Sequence, residues 1–116
     1  MNNRTKGTAG EDLACRYLEK SGYKILERNK HYSKYCEIDI IAEQRGTIVF
    51  VEVKTRQTNA FGTPFEAITQ TKLHHLKTGI MNYLTEHKVK KYRLDIVGIT
   101  LKPELKIEHI KGAGLL

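Results

Sequence analysis

The amino-acid sequence predicts an α/β fold of three layers, in which a mixed central sheet is flanked by helices. Apolar residues recur at helical spacing in two segments, and five segments typical of strands give the order α-β-β-β-α-β-β. The length of 116 residues suits one domain with one core. We therefore expect a single domain over residues 1–116, with residues 1–6 flexible.

The first helix is predicted over residues 10–20. Thr8-Ala9-Gly10-Glu11 has the spacing of a capping box. An apolar stripe at helical period follows, formed by Leu13, Ala14, Tyr17 and Leu18. Ser21-Gly22 supplies the stop, because glycine readily adopts the conformation that ends a helix.

Three strands are predicted next, over residues 23–28, 37–42 and 47–55. A polar loop over 29–35 separates the first two, and Glu43-Gln44-Arg45-Gly46 joins the second to the third. The third strand contains Ile48-Val49-Phe50-Val51-Glu52-Val53, which is apolar on both faces. That pattern is typical of a central strand covered on both sides.

The second helix is predicted to begin at Thr63-Pro64-Phe65-Glu66, after a polar loop over 56–62. Threonine at the N-cap, proline at the first helical position and glutamate at the third form a start signal. Two more strands, over 92–100 and 105–110, are expected to form an antiparallel hairpin around Lys102-Pro103-Glu104.

The net charge of the chain indicates which class of partner to expect. The net charge is +7, and a basic surface attracts polyanions, so nucleic acid is the first expected partner. The alternative is a soluble basic protein with no such partner. The sequence predicts no membrane span and no signal peptide. The two cysteines, Cys15 and Cys36, are too few for a disulfide framework, so we expect a cytoplasmic protein.

Strand alternation predicts a cluster of acidic side chains. Glu52 and Lys54 project to the same side of the third strand, and Glu37, Asp39 and Ile41 share a face of the second. A tight hairpin across residues 43–46 would place position 39 opposite 50 and position 37 opposite 52. The acids and Lys54 would then converge on one patch, provided the register does not slip by one residue.

Such a patch needs positive charge. Two carboxylates about 5 Å apart repel by roughly 3 kcal/mol at an effective dielectric of about 20. Asp39 and Glu52, with either Glu37 or Glu11, exceed the single charge of Lys54. Raised pKa values or nearby arginines are alternatives, but hard oxygen ligands favour Mg²⁺ or Mn²⁺. A metal beside a lysine on a basic protein suits phosphodiester hydrolysis.

The motifs also carry a resemblance to known proteins. "EIDIIA" at 37–42, followed by "VFVEVKTR" at 49–56, resembles the PD-(D/E)XK motif of restriction-endonuclease-like nucleases. With "GEDLACRYLEKSGYKILERN" at 10–29, the chain resembles the bacterial YraN-like family, described as predicted endonucleases related to archaeal Holliday-junction resolvases. The resemblance covers about residues 10–99 and implies a restriction-endonuclease-like fold.

The resemblance also implies roles for individual residues. Glu11 matches the acidic residue of the first helix, Asp39 and Glu52 the metal-binding acids, and Lys54 the catalytic lysine. Lys72 matches a basic position in the second helix. Cys36 stands where the family usually has glycine, and no catalytic position is lost by this difference.

Each of these residues has a structural alternative. Glu11 could serve only the capping box, Glu37 could pair with a lysine, and Glu52 could form a salt bridge with Lys54 or an arginine. Asp95 is expected to pair with Arg93 or Arg56 rather than a metal. Candidate phosphate contacts, which could equally be solvated charges, are Arg56, Lys72, Lys30 and Lys34.

Tyr32 and Tyr35 raise a separate question, because they alternate with lysines in the loop before the second strand. Such a pattern suits stacking on the bases of single strands or unpaired junctions. Ordinary packing within the loop is the expectation we favour.

The sequence thus predicts an Mg²⁺- or Mn²⁺-dependent endonuclease that cleaves DNA, in preference to RNA, at branched or otherwise structured sites. A homodimer acting on two strands is a further expectation, because one small domain offers little surface for a junction. The alternative is a non-catalytic nucleic-acid-binding protein on a nuclease-derived scaffold. A small-nucleotide phosphodiesterase is disfavoured, because such a substrate does not require a charge of +7.

Overall fold

The computed structural model describes residues 4–60 and 62–113. The order is α1 (Arg4–Lys20), β1 (Lys24–His31), β2 (Glu37–Gln44), β3 (Thr47–Thr58), a short 3-10 helix (Pro64–Ala67), α2 (Gln70–Glu86), β4 (Lys91–Lys102) and β5 (Lys106–Ile110). The predicted order α-β-β-β-α-β-β is confirmed, with the 3-10 helix as an addition.

The five strands form one mixed sheet in the order β1-β2-β3-β4-β5. β3 and β4 are parallel, and the other neighbours are antiparallel. The parallel pair requires a crossover, which α2 provides. The predicted hairpin of the last two strands is confirmed, with Ile99 paired to Ile107.

Helices cover the two faces of this sheet. Ala14 and Leu18 of α1 pack with Val49, Val51 and their neighbours in one buried cluster. A second buried cluster joins Ile80 and Tyr83 of α2 to Ile38, Ile41, Phe50 and Leu94. The sheet is therefore the middle of three layers, as the doubly apolar third strand predicted.

The start predicted for the first helix is wrong. α1 begins at Arg4, so Thr8 and Glu11 lie inside the helix rather than at its cap. Arg4 to Lys6, which were expected to be flexible, are helical, and residues 1–3 lie outside the described part of the chain. A capping-box spacing can occur within a helix, because the local sequence does not exclude helical residues before it.

The start predicted for the second helix is also wrong. Thr63 and Glu66 do form a local contact, in which the Thr63 N–H donates to Glu66 Oε1 at 3.1 Å. This signal opens only the four-residue 3-10 helix, whose Pro64 and Phe65 lie over Gly98 of β4. The backbone then extends, and α2 begins at Gln70, where the Thr69 side chain accepts the Lys72 N–H.

The predicted register of the β2–β3 hairpin needs a correction. The turn consists of Arg45 and Gly46 alone, with φ values of 51° and 81°, as in a two-residue hairpin turn. Ile41 therefore pairs with Phe50, where the sequence had placed Asp39. The error is two residues, and a shift of two residues does not by itself move a side chain to the other face of the hairpin.

The alternation of β2 is interrupted at Asp39. Ile38 and Ile41 both pack into the α2-side cluster, whereas Ile40 packs into the α1-side cluster. The prediction that Glu37, Asp39 and Ile41 share one face is therefore wrong for Ile41. Across β1, the pairs Arg28↔Ile40 and Lys30↔Ile38 flank Asn29, which has a positive φ of 54°.

Within the described residues, neither α1 nor α2 is long and apolar enough to cross a membrane. Both cysteines are free and buried. Cys36 lies against α2, where a methyl group at Gly79 would approach its Cβ to 3.9 Å.

Candidate metal centre

The candidate site lies where β2 and β3 separate. Their paired residues run from Gln44↔Thr47 to Ile40↔Val51, while β3 continues beside β4 as far as Thr58. Just past the last pair, Asp39 Oδ2 accepts the backbone N–H of Val53 at 2.9 Å. The carboxylate thus occupies the position where a strand carbonyl would otherwise satisfy this donor.

Three acids lie close together where the two strands separate. With Glu52 of β3 they form what we call the acidic fork. Glu11 of α1 and Glu37 and Asp39 of β2 each offer one carboxylate oxygen, and the three atoms lie within 4.8 Å of one another. Glu11 approaches from the helix that covers one face of the sheet. Oxygens on opposite sides of a Mg²⁺ ion are about 4.2 Å apart, so this spacing suits one ion.

A cavity of about 590 Å³ adjoins these acids. Glu11, Asp39, Glu52 and Lys54 line it, together with the apolar side chains Leu13, Val53 and Leu101. All four residues predicted to be catalytic therefore line one cavity. Glu37 belongs to the three-acid group beside it.

The carboxyl groups of Asp39 and Glu52 both have raised pKa values. Burial, reinforced by the negative charge of Glu52, raises the pKa of Asp39 to about 8, although the Val53 hydrogen bond opposes the shift. Burial also raises the pKa of Glu52, against the opposing charge of Lys72. The protein alone therefore does not favour two full negative charges at this point.

Cationic side chains from two elements, β1 and α2, partly balance the acids. Arg28 of β1 lies 3.5 Å from Glu11 and Lys72 of α2 lies 3.6 Å from Glu52. His31 lies 3.4 Å from Glu37 and adds charge only when it is protonated. The ion pair of Glu52 is thus with Lys72 rather than with the expected Lys54 or an arginine.

Two buried carboxylate oxygens remain without a hydrogen-bond partner in the described structure. They are Glu11 Oε1 and Glu52 Oε1. Leaving such an acceptor unpaired costs about 1–3 kcal/mol, and more when the group is charged. Glu11 Oε1 has the Arg28 charge nearby at 3.5 Å but no hydrogen bond. Hard oxygens that lack hydrogen bonds, at a three-acid group, fit a divalent cation such as Mg²⁺ or Mn²⁺.

The other predicted phosphate contacts do not line the cavity. Lys30 lies 3.8 Å from Glu27, and Lys34 lies beside the Tyr35 ring. Arg56 follows the site on β3, where its buried Nε lacks a hydrogen-bond partner. Sequence reasoning missed Arg28 as a partner of Glu11, because that contact depends on how α1 crosses β1.

A second polar cluster lies on the α1 side of β4. Asp95 accepts hydrogen bonds from Arg93 Nε at 2.9 Å and from the Gly112 N–H at 3.1 Å. Its other oxygen lies 2.7 Å from His109 Nε2, while Tyr17 Oη lies 2.9 Å from Nδ1 of the same ring. The predicted pairing of Asp95 with Arg93 is confirmed.

Comparison with known proteins identifies the family. Residues 10–99 match the Uncharacterised protein family UPF0102. A UPF0102 protein of Syntrophomonas wolfei subsp. wolfei is 46% identical over 114 residues, which cover 96% of this chain and 98% of the relative. A UPF0102 protein of Caldicellulosiruptor saccharolyticus is 46% identical over 118 residues, covering 97% and 99% of the two chains.

The similarity extends to a more divergent relative. A UPF0102 protein of Rhodococcus opacus is 40% identical over 116 residues, covering 97% of this chain and 98% of its own. The matched span, residues 10–99, contains every acid of the candidate metal centre and Lys54. The YraN-like resemblance is thus confirmed at the level of family, and the chain belongs to the UPF0102 family.

Proposed function

We propose that this protein is a metal-dependent endonuclease that hydrolyses phosphodiester bonds in DNA, on a sheet arranged as in restriction-endonuclease-like nucleases. The observation that carries the proposal is the acidic fork between β2 and β3. Four carboxylates gather there, and Glu11 and Glu52 each leave a buried oxygen without a hydrogen bond. Two lysines lie beside them, Lys54 at the cavity wall and Lys72 at Glu52.

Glu11, Glu37 and Asp39 are the residues that would hold Mg²⁺ or Mn²⁺. When bound, such a cation would act as a Lewis acid for the phosphate and lower the pKa of a coordinated water. The chain contributes fixed geometry. The Val53 N–H holds Asp39 Oδ2 in place. Arg28 hydrogen-bonds Asp12 at 2.7 Å and lies 3.5 Å from Glu11, so it adds positive charge beside that carboxylate.

The lysines supply the positive charge that a phosphodiester requires. Lys54 lines the cavity and would stabilise the charge that grows on the phosphate oxygens as the bond breaks. Lys72, paired with Glu52, favours the charged form of that carboxylate against the opposing effect of burial, and it adds to the attraction for the polyanion. Glu52 is then available to orient the attacking water.

Charge outside the fork supports a polymer as the substrate. The chain carries a net charge of +7, although several of its acids are gathered at the candidate site. A basic surface around a carboxylate centre attracts a long polyanion and releases its counterions. A small nucleotide would use little of that surface.

The test is a panel of labelled linear, flapped and four-way DNA, incubated with Mg²⁺, with Mn²⁺ and with a chelator. We expect metal-dependent cleavage by the wild type. Lys54→Ala should reduce it about 100- to 1000-fold, as for the loss of one electrostatic stabiliser, and Asp39→Asn should abolish it. Glu104→Gln, which changes an exposed acid in the β4–β5 turn, is the matched control and should cleave normally.

The contrary result has a definite meaning. If every DNA is bound but none is cut with either metal, the protein is a nucleic-acid-binding module and the proposed endonuclease activity is wrong. If Lys54→Ala and Glu104→Gln cleave equally well, the cavity is not the catalytic centre.

A further inference from the structure

Tyr35, in the loop between β1 and β2, is a solvent-exposed aromatic side chain that stacks on another ring. It is 61% exposed, yet its ring stacks on His75 of α2 with centroids 5.6 Å apart and planes at 29°. The stack fixes the ring without burying it. One face of the pair is therefore displayed to solvent.

Tyr32, from the same loop, shows the contrast. Its hydroxyl donates to Glu86 at 2.8 Å, and its ring packs against the α2-side core cluster. Tyr32 thus serves the ordinary packing that the sequence predicted for both tyrosines. Tyr35 does not, because it packs with neither core cluster of the described residues.

Two lysines and a further imidazole ring lie near this exposed pair. Lys34 Nζ lies 5.5 Å from the centre of the Tyr35 ring. On α2, Lys72 lies one turn before His75, and the exposed His74 ring lies 6.0 Å from the His75 ring. Aromatic faces among positive charges are the features that bind single-stranded nucleic acid.

The geometry of α2 places this surface next to the acidic fork. Lys72 reaches Glu52, His75 reaches Tyr35, and Gly79 packs against Ile38, so one helix face follows the end of β2. Lys72 and His75 are separated by a rise of about 4.5 Å along the helix. Stacked nucleotides of one strand are separated by about 3.4 Å, so the two positions are roughly one nucleotide apart.

We propose that Tyr35 and His75 form a stacking platform for an unpaired base that adjoins the phosphate held at the acidic fork. This inference rests on the proposed function and narrows its substrate class to DNA with a single-stranded segment beside the cut. A base inside a duplex cannot use the platform, because its faces are covered by its neighbours. Flaps, gaps and strand ends present such a base, and uninterrupted duplex does not.

The platform is tested by binding without cleavage. A short single-stranded oligonucleotide containing 2-aminopurine, whose fluorescence falls when it stacks, is titrated with protein in the presence of a chelator. Wild type and Tyr35→Phe should bind it and quench it. Tyr35→Ala should bind about 5- to 100-fold more weakly, the range for the loss of one base–aromatic stack, and should not quench.

Two controls separate stacking from other effects. Leu105→Ala removes another exposed apolar side chain, 53% exposed in the β4–β5 turn, and should behave as the wild type. A duplex of the same sequence should bind Tyr35→Ala and wild type within about twofold, because phosphate contacts alone hold it. Because Tyr35 is exposed, its replacement should leave the melting temperature unchanged.

The platform is wrong if the wild type fails to bind or quench the single strand, or if Tyr35→Ala binds and quenches as the wild type does. It is also wrong if Tyr35→Ala loses single-strand and duplex binding equally. None of these measurements uses cleavage. A protein that stacks a base but cuts no DNA keeps the platform and loses the proposed function. A protein that cuts DNA but neither binds nor quenches the single strand keeps the proposed function and loses the platform.

Discussion

Asp39 Oδ2 accepts the backbone N–H of Val53 at 2.9 Å, at the first position where β2 and β3 no longer pair. One oxygen of this carboxylate therefore completes the backbone hydrogen bonding of β3. The Asp39 carboxylate also belongs to the three-acid group with Glu11 and Glu37. The same residue thus serves the fold and the candidate metal centre.

Replacing this acid should stabilise the metal-free protein at neutral and alkaline pH. The folded pKa of Asp39, about 8, is above its ordinary value of 3.8, so the folded state binds more protons than the unfolded state between these limits. Wild-type stability should then decline as pH rises from about 4 to 8. Asp39→Asn keeps an oxygen for Val53 and has no charge to bury.

We therefore expect Asp39→Asn to exceed the wild type in unfolding free energy by at least about 1.4 kcal/mol at pH 8, one pKa unit's equivalent. The difference should shrink towards pH 4. Urea unfolding in a chelating buffer measures it, with Glu104→Gln as the control. A wild type that is as stable as Asp39→Asn at both pH values would contradict the raised pKa.

Adding Mn²⁺ should stabilise the wild type more than a variant that lacks one of the ligand acids. Mn²⁺ binding to the folded state alone raises the unfolding free energy by about 2.7 kcal/mol at a free concentration 100 times the dissociation constant. Wild type should show the corresponding rise in melting temperature, and Glu11→Gln should lose most of it. Glu19→Gln, an exposed acid on the same helix, should respond as the wild type. Equal shifts in all three proteins would exclude Glu11 as a ligand.

The sequence predicts which residues meet at this site but not the backbone geometry that brings them together. The two-residue turn shifts the β2–β3 register from the expected one, because Arg45 adopts a positive φ that its residue type does not signal. Asp39, Glu52 and Lys54 line one cavity as predicted, but regular alternation does not bring them together. Ile41 packs on the α2 side with Phe50, and the alternation of β2 is interrupted at Asp39.

The remaining parts of the site depend on packing between distant elements. Arg28 meets Glu11 because α1 crosses β1, and Lys72 meets Glu52 because α2 begins six residues after Pro64 rather than at it. Neither contact has a signature in local spacing. The interruption of alternation at Asp39 was equally hidden, since it accompanies the positive φ of Asn29 on the neighbouring strand.

Gly10 should be intolerant of alanine although it lies inside a helix. It is buried in α1, and a methyl group there would collide with the Thr55 hydroxyl of β3. Helix propensity alone would favour alanine by about 1 kcal/mol, whereas overpacking of this kind costs about 1–3 kcal/mol. We expect Gly10→Ala to lower the unfolding free energy and Thr55→Ala to restore it in the double variant.

Gly79 offers the matched control for that substitution. It also lies in a helix, but a methyl group there would lie 3.4 Å from Ile38 Cγ1, an ordinary contact. Gly79→Ala should therefore leave stability unchanged or raise it by up to about 1 kcal/mol. Wild type, Gly10→Ala, Thr55→Ala and the double variant form a double-mutant cycle. Thermal or urea unfolding measures their stabilities and that of the Gly79→Ala control. Destabilisation of both glycine variants to the same extent would contradict a specific clash at Thr55.

Asp95 should be the most costly acid to neutralise, in contrast to Asp39. It is fully buried, and burial alone would raise its pKa, but hydrogen bonds from His109, Arg93 and the Gly112 N–H outweigh that effect and lower the pKa. Its stabilising contribution is therefore present above the ordinary value of 3.8 and is lost as pH falls through the lower, folded pKa. Asp95→Asn should cost about 3–5 kcal/mol near neutral pH, as when one partner of a buried ion pair is removed.

The difference in unfolding free energy between Asp95→Asn and wild type should narrow in acid, because the wild-type carboxylate loses its charge as pH falls through its lowered folded pKa. Urea unfolding at neutral pH and below pH 3.8 measures both values. Glu108→Gln, which removes the partner of Lys106 at the surface of β5, should cost less than about 1 kcal/mol at any pH. An Asp95→Asn protein as stable as Glu108→Gln would mean that the buried contacts with Arg93 and His109 do not hold the C-terminal hairpin against α1.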